Sequence, residues 1–378
     1  LSYFGLIMSD TLIGLVSQYS PSGQERGAVE WLVARMKSLG YDGAFIDDAG
    51  NAVGVMGKGT RQVVLLGHID TVPGEIDVTL TPPSPLAPLP EGEGNLYGRG
   101  AVDAKGPLAS FVDAVAKVGA RDGWQFVVIG AVEEERNSEG ARFVATQYTP
   151  DFAIIGEPNQ WDRMALGYKG SAWANVTIKR GQAHSASGEE TAAEAAVGLW
   201  LKIKAYVDSF NENKQKVFDK LLLTLRGMES DSNDFEQWAR LKVGVRLPVE
   251  VSPEDWYQIL NETLIPKGEN QVSETFRVLI ERTGFAIPAW GCEKNTQLVR
   301  SLLSGIRSQG GEPRFVYKTG TADLNIVAPL WKCPAVVYGP GDSSLDHTPN
   351  EHIDLGEYGR AVDVLSHALQ KLTSRAAF

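Results

Sequence analysis

Apolar residues recur along this chain in two rhythms. Four short runs are continuously hydrophobic and reach a glycine: Val63-Val64-Leu65-Leu66-Gly67, Phe126-Val127-Val128-Ile129-Gly130, Phe152-Ala153-Ile154-Ile155-Gly156 and Ala335-Val336-Val337-Tyr338-Gly339. Runs of this length predict strands buried on both faces. A helical rhythm sets Val29, Leu32, Val33, Met36 and Leu39 on one face, with Gly40 as its stop and Ser22 and Glu25 at capping-box spacing before it. Short strands are expected from Gly43 to Ile46 and from Ala52 to Met56. Pro107 suits the first turn of a helix running through Phe111 and Val115. Proline and glycine from Thr81 to Gly94 predict a loop or hairpin connection.

Strands and helices alternate as far as Gly167, which predicts an α/β architecture. The texture then changes. Ser171 to Ile178 alternates like an exposed antiparallel strand, Thr191 to Tyr206 reads as an alanine-rich helix, and Gly244 to Pro248 and Thr275 to Glu281 read as strands. The α/β pattern resumes near Trp290, with a helix from Thr296 to Ile306. These features predict a discontinuous domain, residues 1–167 and 283–378, interrupted by an α+β insertion at 168–282.

A chain of 378 residues is long enough for two cores. Its net charge of -11 argues against general nucleic-acid binding, since phosphate would be repelled. Cys292 and Cys333 make neither a disulfide framework nor a zinc-finger spacing, which fits a reducing cytoplasm. The apolar opening from Leu1 to Met8 is too short to span a bilayer and lacks the marks of a secretory signal, with Met8 an alternative start.

The chemistry gathers just beyond the four buried runs. His68-Ile69-Asp70 follows the first, Glu133-Glu134-Glu135 the second, Glu157 the third, and His347 lies a few residues past the fourth. Strand carboxyl ends in an open α/β sheet share one crevice, so these groups are expected to converge there. Imidazoles and carboxylates together suit zinc or a similar divalent ion. His68 would bind metal while Asp70 fixes its tautomer; alone, the pair reads equally as a turn histidine with a capping aspartate. Asp103, in a glycine-bounded loop, could bridge two ions or simply shape a turn. Neighbouring side chains of the acidic triplet point different ways, so one can ligate while another stays free as a base. A solvated acidic loop is the plain alternative. His352 and His367 compete with His347, although His367 falls in a terminal helix pattern. Two ions with a shared bridge are satisfied by His68 and Glu157 on one side, Glu135 and His347 on the other, and Asp103 between them.

These residues resemble the M20 family of zinc peptidases and deacylases over nearly the whole chain. The likeness rests on Gly67-His68-Ile69-Asp70-Thr71-Val72-Pro73, Gly98-Arg99-Gly100-Ala101-Val102-Asp103, Glu134-Glu135, Gly156-Glu157-Pro158 and His347. It implies a zinc-peptidase-like catalytic domain with a mixed central sheet, and an inserted lid that also serves as a homodimer interface. It further implies two zinc ions, with cobalt as an alternative, Glu134 as the base that deprotonates the attacking water, and Glu135 as a ligand. Glu133 and Asn137 depart from the family's usual aspartate and glycine, leaving a one-residue slip of that register open. Gly181-Gln182-Ala183-His184-Ser185 resembles the lid motif whose histidine stabilises the oxyanion. Arg246 resembles the lid arginine that holds a substrate carboxylate, and Gly320-Thr321-Ala322-Asp323 the substrate loop.

Within the family, Val102 to Ala109, Ala131 to Glu135, Gly156 to Asp162 and Leu166 to Gly170 are most similar to the lysine and ornithine hydrolases that act on an amino-group carrier protein in lysine and arginine biosynthesis. Such an enzyme releases the amino acid from the carrier or from its N-acetyl derivative, with no nucleic acid or membrane partner. Alternatives in the family are an acetylornithine deacetylase, a succinyl-diaminopimelate desuccinylase or a dipeptidase. Outside enzymes, the alternative is a protein that only binds amino-acid derivatives. Lys202, Lys204, Lys214, Lys216 and Lys220 could dock an acidic carrier or form a solvated face.

Overall fold

In a computed structural model the described residues are 3–81, 94–184, 186–264 and 276–374. The proline-rich stretch after Thr81 and Ser185 of the lid motif lie outside them. The chain divides into two compact units. One comprises Leu1–Gly167, Cys292–Tyr317 and Ala322–Phe378, the other Tyr168–Gly291 and Lys318–Thr321.

The first unit opens with helices α1 (Tyr3–Val16) and α2 (Arg26–Ser38) and strands β1 (Gly43–Ile46), β2 (Ala52–Met56) and β3 (Arg61–His68). Then follow β4 (Thr79–Thr81), β5 (Asn95–Tyr97), α3 (Lys105–Val118), β6 (Trp124–Ala131), α4 (Glu139–Gln147), β7 (Phe152–Gly156) and β8 (Arg163–Tyr168). The second unit holds β9 (Gly170–Gly181), α5 (Ala192–Asn211), β10 (Leu222–Ser232), β11 (Glu236–Leu247), α6 (Pro253–Leu264), β12 (Arg277–Ile287) and β13 (Trp290–Gly291). The chain then returns through α7 (Gln297–Ser308), β14 (Arg314–Lys318), α8 (Leu324–Trp331), β15 (Ala335–Val337), β16 (His352–Asp354) and α9 (Leu355–Thr373).

The four hydrophobic runs are adjacent in one mixed sheet, in the order β6-β3-β7-β15, and all four are parallel. β1 and β2 extend the sheet beyond β6 in antiparallel pairing, and β8 flanks β15. Their Val, Ile and Leu side chains are fully buried, as expected for parallel strands covered on both faces. Each such side chain contributes roughly 1.5–3 kcal/mol by burial. The glycines at the strand ends serve close packing rather than only ending strands: β3 continues to His68 and β6 to Ala131. A Cβ at Gly156 would lie 2.9 Å from Phe111 Cε2, and one at Gly67 3.2 Å from Leu108 Cβ. Without side chains there, α3 lies directly on the sheet.

A small sheet, β16-β5-β4, has a specific consequence for the chemistry. β5 leads into the Asp103 loop, and the His347 loop leads into β16. Antiparallel pairing of Tyr97 with His352 through Asn95 with Asp354 therefore brings the two loops together.

The start of α2 differs from the expected capping box. Ser22 Oγ donates to Asp70 Oδ2 at 2.7 Å instead of capping the helix, and Glu25 accepts from Gly23 N. A capping box does form at Thr191 and Glu194, opening α5.

The second unit is a four-stranded antiparallel sheet, β10-β11-β9-β12, with its own core against α5 and α6. The segment read as an exposed strand is the interior strand β9, hydrogen-bonded on both sides to β11 and β12. β10 carries no strong alternation and was not anticipated. Two of the lysines considered for docking are engaged by acids: Lys204 meets Asp208 at 2.6 Å and Lys214 pairs with Glu250.

Candidate metal centre

Asp103 is the hub of the first unit's polar cluster. Its Oδ1 lies 3.2 Å from His68 Nε2 and its Oδ2 3.1 Å from His347 Nε2. The two imidazoles thus stand on opposite oxygens of one carboxylate, the disposition a bridging ligand needs. His347 Nε2 is also 3.0 Å from Glu135 Oε1. Donor atoms of His68, Asp103 and Glu135 all lie within 4.8 Å of one another, a group able to hold a metal ion.

Each side chain reaches this point through its strand end or loop. His68 closes β3 and is 1% exposed, with Nδ1 3.0 Å from the Asp70 carbonyl oxygen. Asp70 is wholly buried and braces more than the histidine. Its Oδ1 accepts from Glu134 N at 3.0 Å and its Oδ2 from Glu135 N at 3.1 Å, fixing the backbone of the acidic triplet. Glu133, with φ of 60°, turns the chain there and faces Arg136 at 3.7 Å. Glu157 follows the end of β7 and is buried. His347 has φ of 61° and is half exposed.

Neither competing histidine joins the cluster. His352 stacks on Tyr97 with ring centroids 4.6 Å apart. His367 Nε2 lies 3.1 Å from Ser304 Oγ.

The charges test whether a cation fits. Burial alone would depress the His68 imidazole, but hydrogen bonds to Asp103 and Asp70 outweigh it and raise its pKa well above the usual value. His347 is raised to about 10 by its hydrogen bonds to Asp103 and Glu135. For Asp103, burial opposes ionisation, yet the hydrogen bonds from His347 and His68 hold it well below the carboxylate range. Two imidazoles do not balance the remaining acids. Burial pushes Glu134 and Glu157 well above their ordinary range, with neighbouring carboxylates adding to the effect. Asp323, buried beside them, is pushed up to about 7 by burial and by Asp70. So dense a set of carboxylates with imidazole nitrogens suits further positive charge, which a divalent cation would supply.

Sequence reasoning missed the scaffold behind Asp103. Glu351 is 1% exposed, and its Oε1 accepts from Val102 N at 3.0 Å and Asp103 N at 3.1 Å. Its Oε2 accepts from Arg99 Nη1 at 2.9 Å. Arg99 also donates to the carbonyls of Gly74 and Thr348, at 2.7 and 3.1 Å. One buried ion pair therefore ties together the loops after β3, before α3 and before β16. Arg99 lies within the Gly98 to Asp103 motif and Glu351 four residues past His347, but nothing in their spacing announced the pairing.

The other expected site residues belong to the second unit. Arg246 Nη1 lies 3.4 Å from Thr321 Oγ1, with Gly320 preceding that threonine. His184 is exposed and its Nδ1 accepts from Ala186 N at 3.1 Å.

Comparison with known proteins fits this arrangement. The sequence profile of peptidase family M20/M25/M40 matches residues 64–371. A LysW-lysine hydrolase of Deinococcus radiodurans is 39% identical over 363 residues, spanning 94% of each chain. A putative LysW-lysine/LysW-ornithine hydrolase of Thermococcus kodakarensis is 37% identical, covering 95% of this chain and 90% of its own. Among solved structures, aminopeptidase PepT from Bacillus cereus superposes with a TM-score of 0.75 at 17% identity, covering 98% of this chain and 99% of its own. A dinuclear metal binding peptidase of the M20 family from Bacillus subtilis does so with a TM-score of 0.67 at 12% identity, covering 97% of each. The two structures share the fold, and the profile with the sequence relatives settles the lineage: the chain belongs to peptidase family M20/M25/M40 and is a hydrolase of that family.

Proposed function

We propose that the protein is a dinuclear zinc amidohydrolase that releases lysine or ornithine from an amino-group carrier protein. One observation carries the reading furthest: the two oxygens of Asp103 each meet a different histidine, beside Glu135, Glu134 and the buried Glu157. His68 and Glu157 would hold one ion, Glu135 and His347 the other, and Asp103 would be shared. Zinc suits this nitrogen and oxygen set, and cobalt shares its preferences. Bound there, such ions lower the pKa of water and polarise the scissile carbonyl.

The chain's own groups do the rest. Asp70 locks the His68 ring through Nδ1 and holds the Glu134 and Glu135 backbone through its carboxylate. Glu134 takes a proton from the attacking water on its carboxylate and passes it to the leaving amine nitrogen, so one residue serves as base and then as acid. His184 offers an imidazole N–H for the oxyanion. Arg246 and Thr321 offer a guanidinium and a hydroxyl for a substrate carboxylate. The substrate assignment draws on the hydrolases named for LysW-linked lysine and ornithine, which match along nearly their full length.

Glu134→Gln is the direct test. Turnover should fall by at least about a hundredfold, while metal content by plasma mass spectrometry stays at the wild-type level. Near-normal turnover would remove Glu134 from its role. Carrier-linked lysine, Nα-acetyl-lysine and Nα-acetylornithine assayed side by side then rank the substrates, and indifference to the carrier would favour a plain deacetylase.

A further inference from the structure

The loop that carries His184 is exposed: Gln182, His184 and residues 186–190 all face solvent. Burial therefore does little to hold it, yet two side chains of the sheet close it across its neck. On the helix-facing side of β9 and β11, alternation carries the apolar rows through Ile178 and Ala239 and then, one step further, to Arg180 and Gln237. The register pairs Ile178 with Ala239 and Arg180 with Gln237. Where the core runs out, a polar pair takes its place.

Arg180 is buried, and its guanidinium reaches both ends of the loop. Nε donates to the Gly181 carbonyl at 3.1 Å, Nη1 donates to the Glu190 carbonyl, and Nη2 pairs with the Glu189 carboxylate. Its Cζ lies over the Phe276 ring, 5.3 Å from the centroid. Gln237 makes a second closure. Its Nε2 donates to Gln182 Oε1 at 3.1 Å, and its Oε1 accepts from Ala192 N, the first residue of α5, at 3.3 Å. Gln182 is anchored in turn on the β10–β11 hairpin: its N donates to the Phe235 carbonyl at 2.8 Å and its Nε2 to the Asn233 carbonyl at 2.7 Å.

Inside the loop the chain folds back on the histidine. Ser187 N donates to the His184 carbonyl at 2.8 Å, and Ala186 N to His184 Nδ1 at 3.1 Å. An amide N–H can only donate, so Nδ1 accepts and the neutral ring carries its proton on Nε2. We propose that Arg180 and Gln237 are positioning residues for His184, two clasps that hold its loop in the shape presenting Nε2–H as a donor. The functional side of this rests on the oxyanion role proposed for His184. Donors of that kind act because they are placed in advance, and a displacement of about 1 Å can cost about a hundredfold in rate.

Gln237→Leu removes both hydrogen bonds of that side chain, and Arg180→Lys keeps the charge but loses the planar fork. Each should lower kcat about tenfold with KM unchanged, as for a donor partly out of place. In a His184→Ala background the same substitutions should cost nothing further, because the residue they position is gone. Losses that recur undiminished in that background overturn the proposal, as does wild-type turnover in both single variants. Nitrogen-15 NMR of histidine-labelled protein at about pH 9, above the ordinary imidazole range, reads the loop without turnover. The His184 signals, identified by their absence from His184→Ala, should report the Nε2–H tautomer in wild type and a mixture of tautomers in Gln237→Leu and Arg180→Lys. An unchanged tautomer in both overturns the clasps. If His184→Ala leaves turnover intact while the tautomer responds to the clasps, the oxyanion role fails and the positioning of His184 stands.

Discussion

Glu351 shows how much of the metal centre depends on a side chain aimed at backbone rather than at the cluster. It fixes Asp103 through that residue's own N–H while neutralising Arg99, and Arg99 also reaches the carbonyl one residue past His347. The separation of the two central ligands is therefore set by one carboxylate. Glu351→Gln preserves volume but replaces one accepting oxygen with an NH2 group. Metal affinity should fall about 10- to 100-fold, the usual loss when a ligand's support is altered. Competition with a chelator measures it, and an unaltered dissociation constant would show that Asp103 holds its place unaided. His347→Ala, which removes a ligand outright, should lower metal content at equal protein, read by plasma mass spectrometry. Full occupancy would exclude His347 from the ligand set.

Among the elements, the parallel strands were legible because a buried strand leaves an uninterrupted apolar run; His68 and Glu157 follow such runs directly, and Glu135 and His347 lie a few residues beyond theirs. Asp103 was harder to place, since its loop is anchored by short β5 and β16, whose three residues each carry no periodicity. β10 escaped notice for a related reason: its outer half is exposed, so no apolar alternation marks it. Ser22 misled because its spacing to Glu25 imitates a cap while its hydroxyl serves Asp70. Helix contacts through polar groups were also invisible in sequence. Thr11 of α1 and Tyr358 of α9 both donate to Asp113 of α3, and Arg35 of α2 donates to Thr11. Four helices thus meet at one carboxylate, which burial raises from 3.8 to about 6. Between those values the folded state holds more protons than the unfolded chain, so this contribution is complete below the lower value and is lost as pH rises through the upper one. Asp113→Asn removes the titration. Relative to wild type, its stability should improve from pH 4 to pH 8 by on the order of 1–2 kcal/mol, with partial exposure reducing the full shift. Parallel denaturation curves for the two proteins at both pH values would refute it.

For the whole molecule, the decisive point is that the proposed ligands all belong to the first unit, while the second has a separate hydrophobic core. A cation bound only by the folded first unit adds RT ln(1 + [L]/Kd) to that unit's stability, about 2.7 kcal/mol at a hundredfold excess over Kd. It adds nothing directly to the core formed by β9, β11, α5 and α6. Two-unit chains need not unfold in one step. Scanning calorimetry of chelator-treated protein should therefore resolve two transitions, and titrating zinc back should move one upward while the other stays in place. His68→Ala should blunt the response of the moving transition and leave the stationary one untouched. If both transitions shift together, or a single transition shifts as one, the two cores are coupled strongly enough that metal stabilises the whole chain, and the independence of the units must be given up.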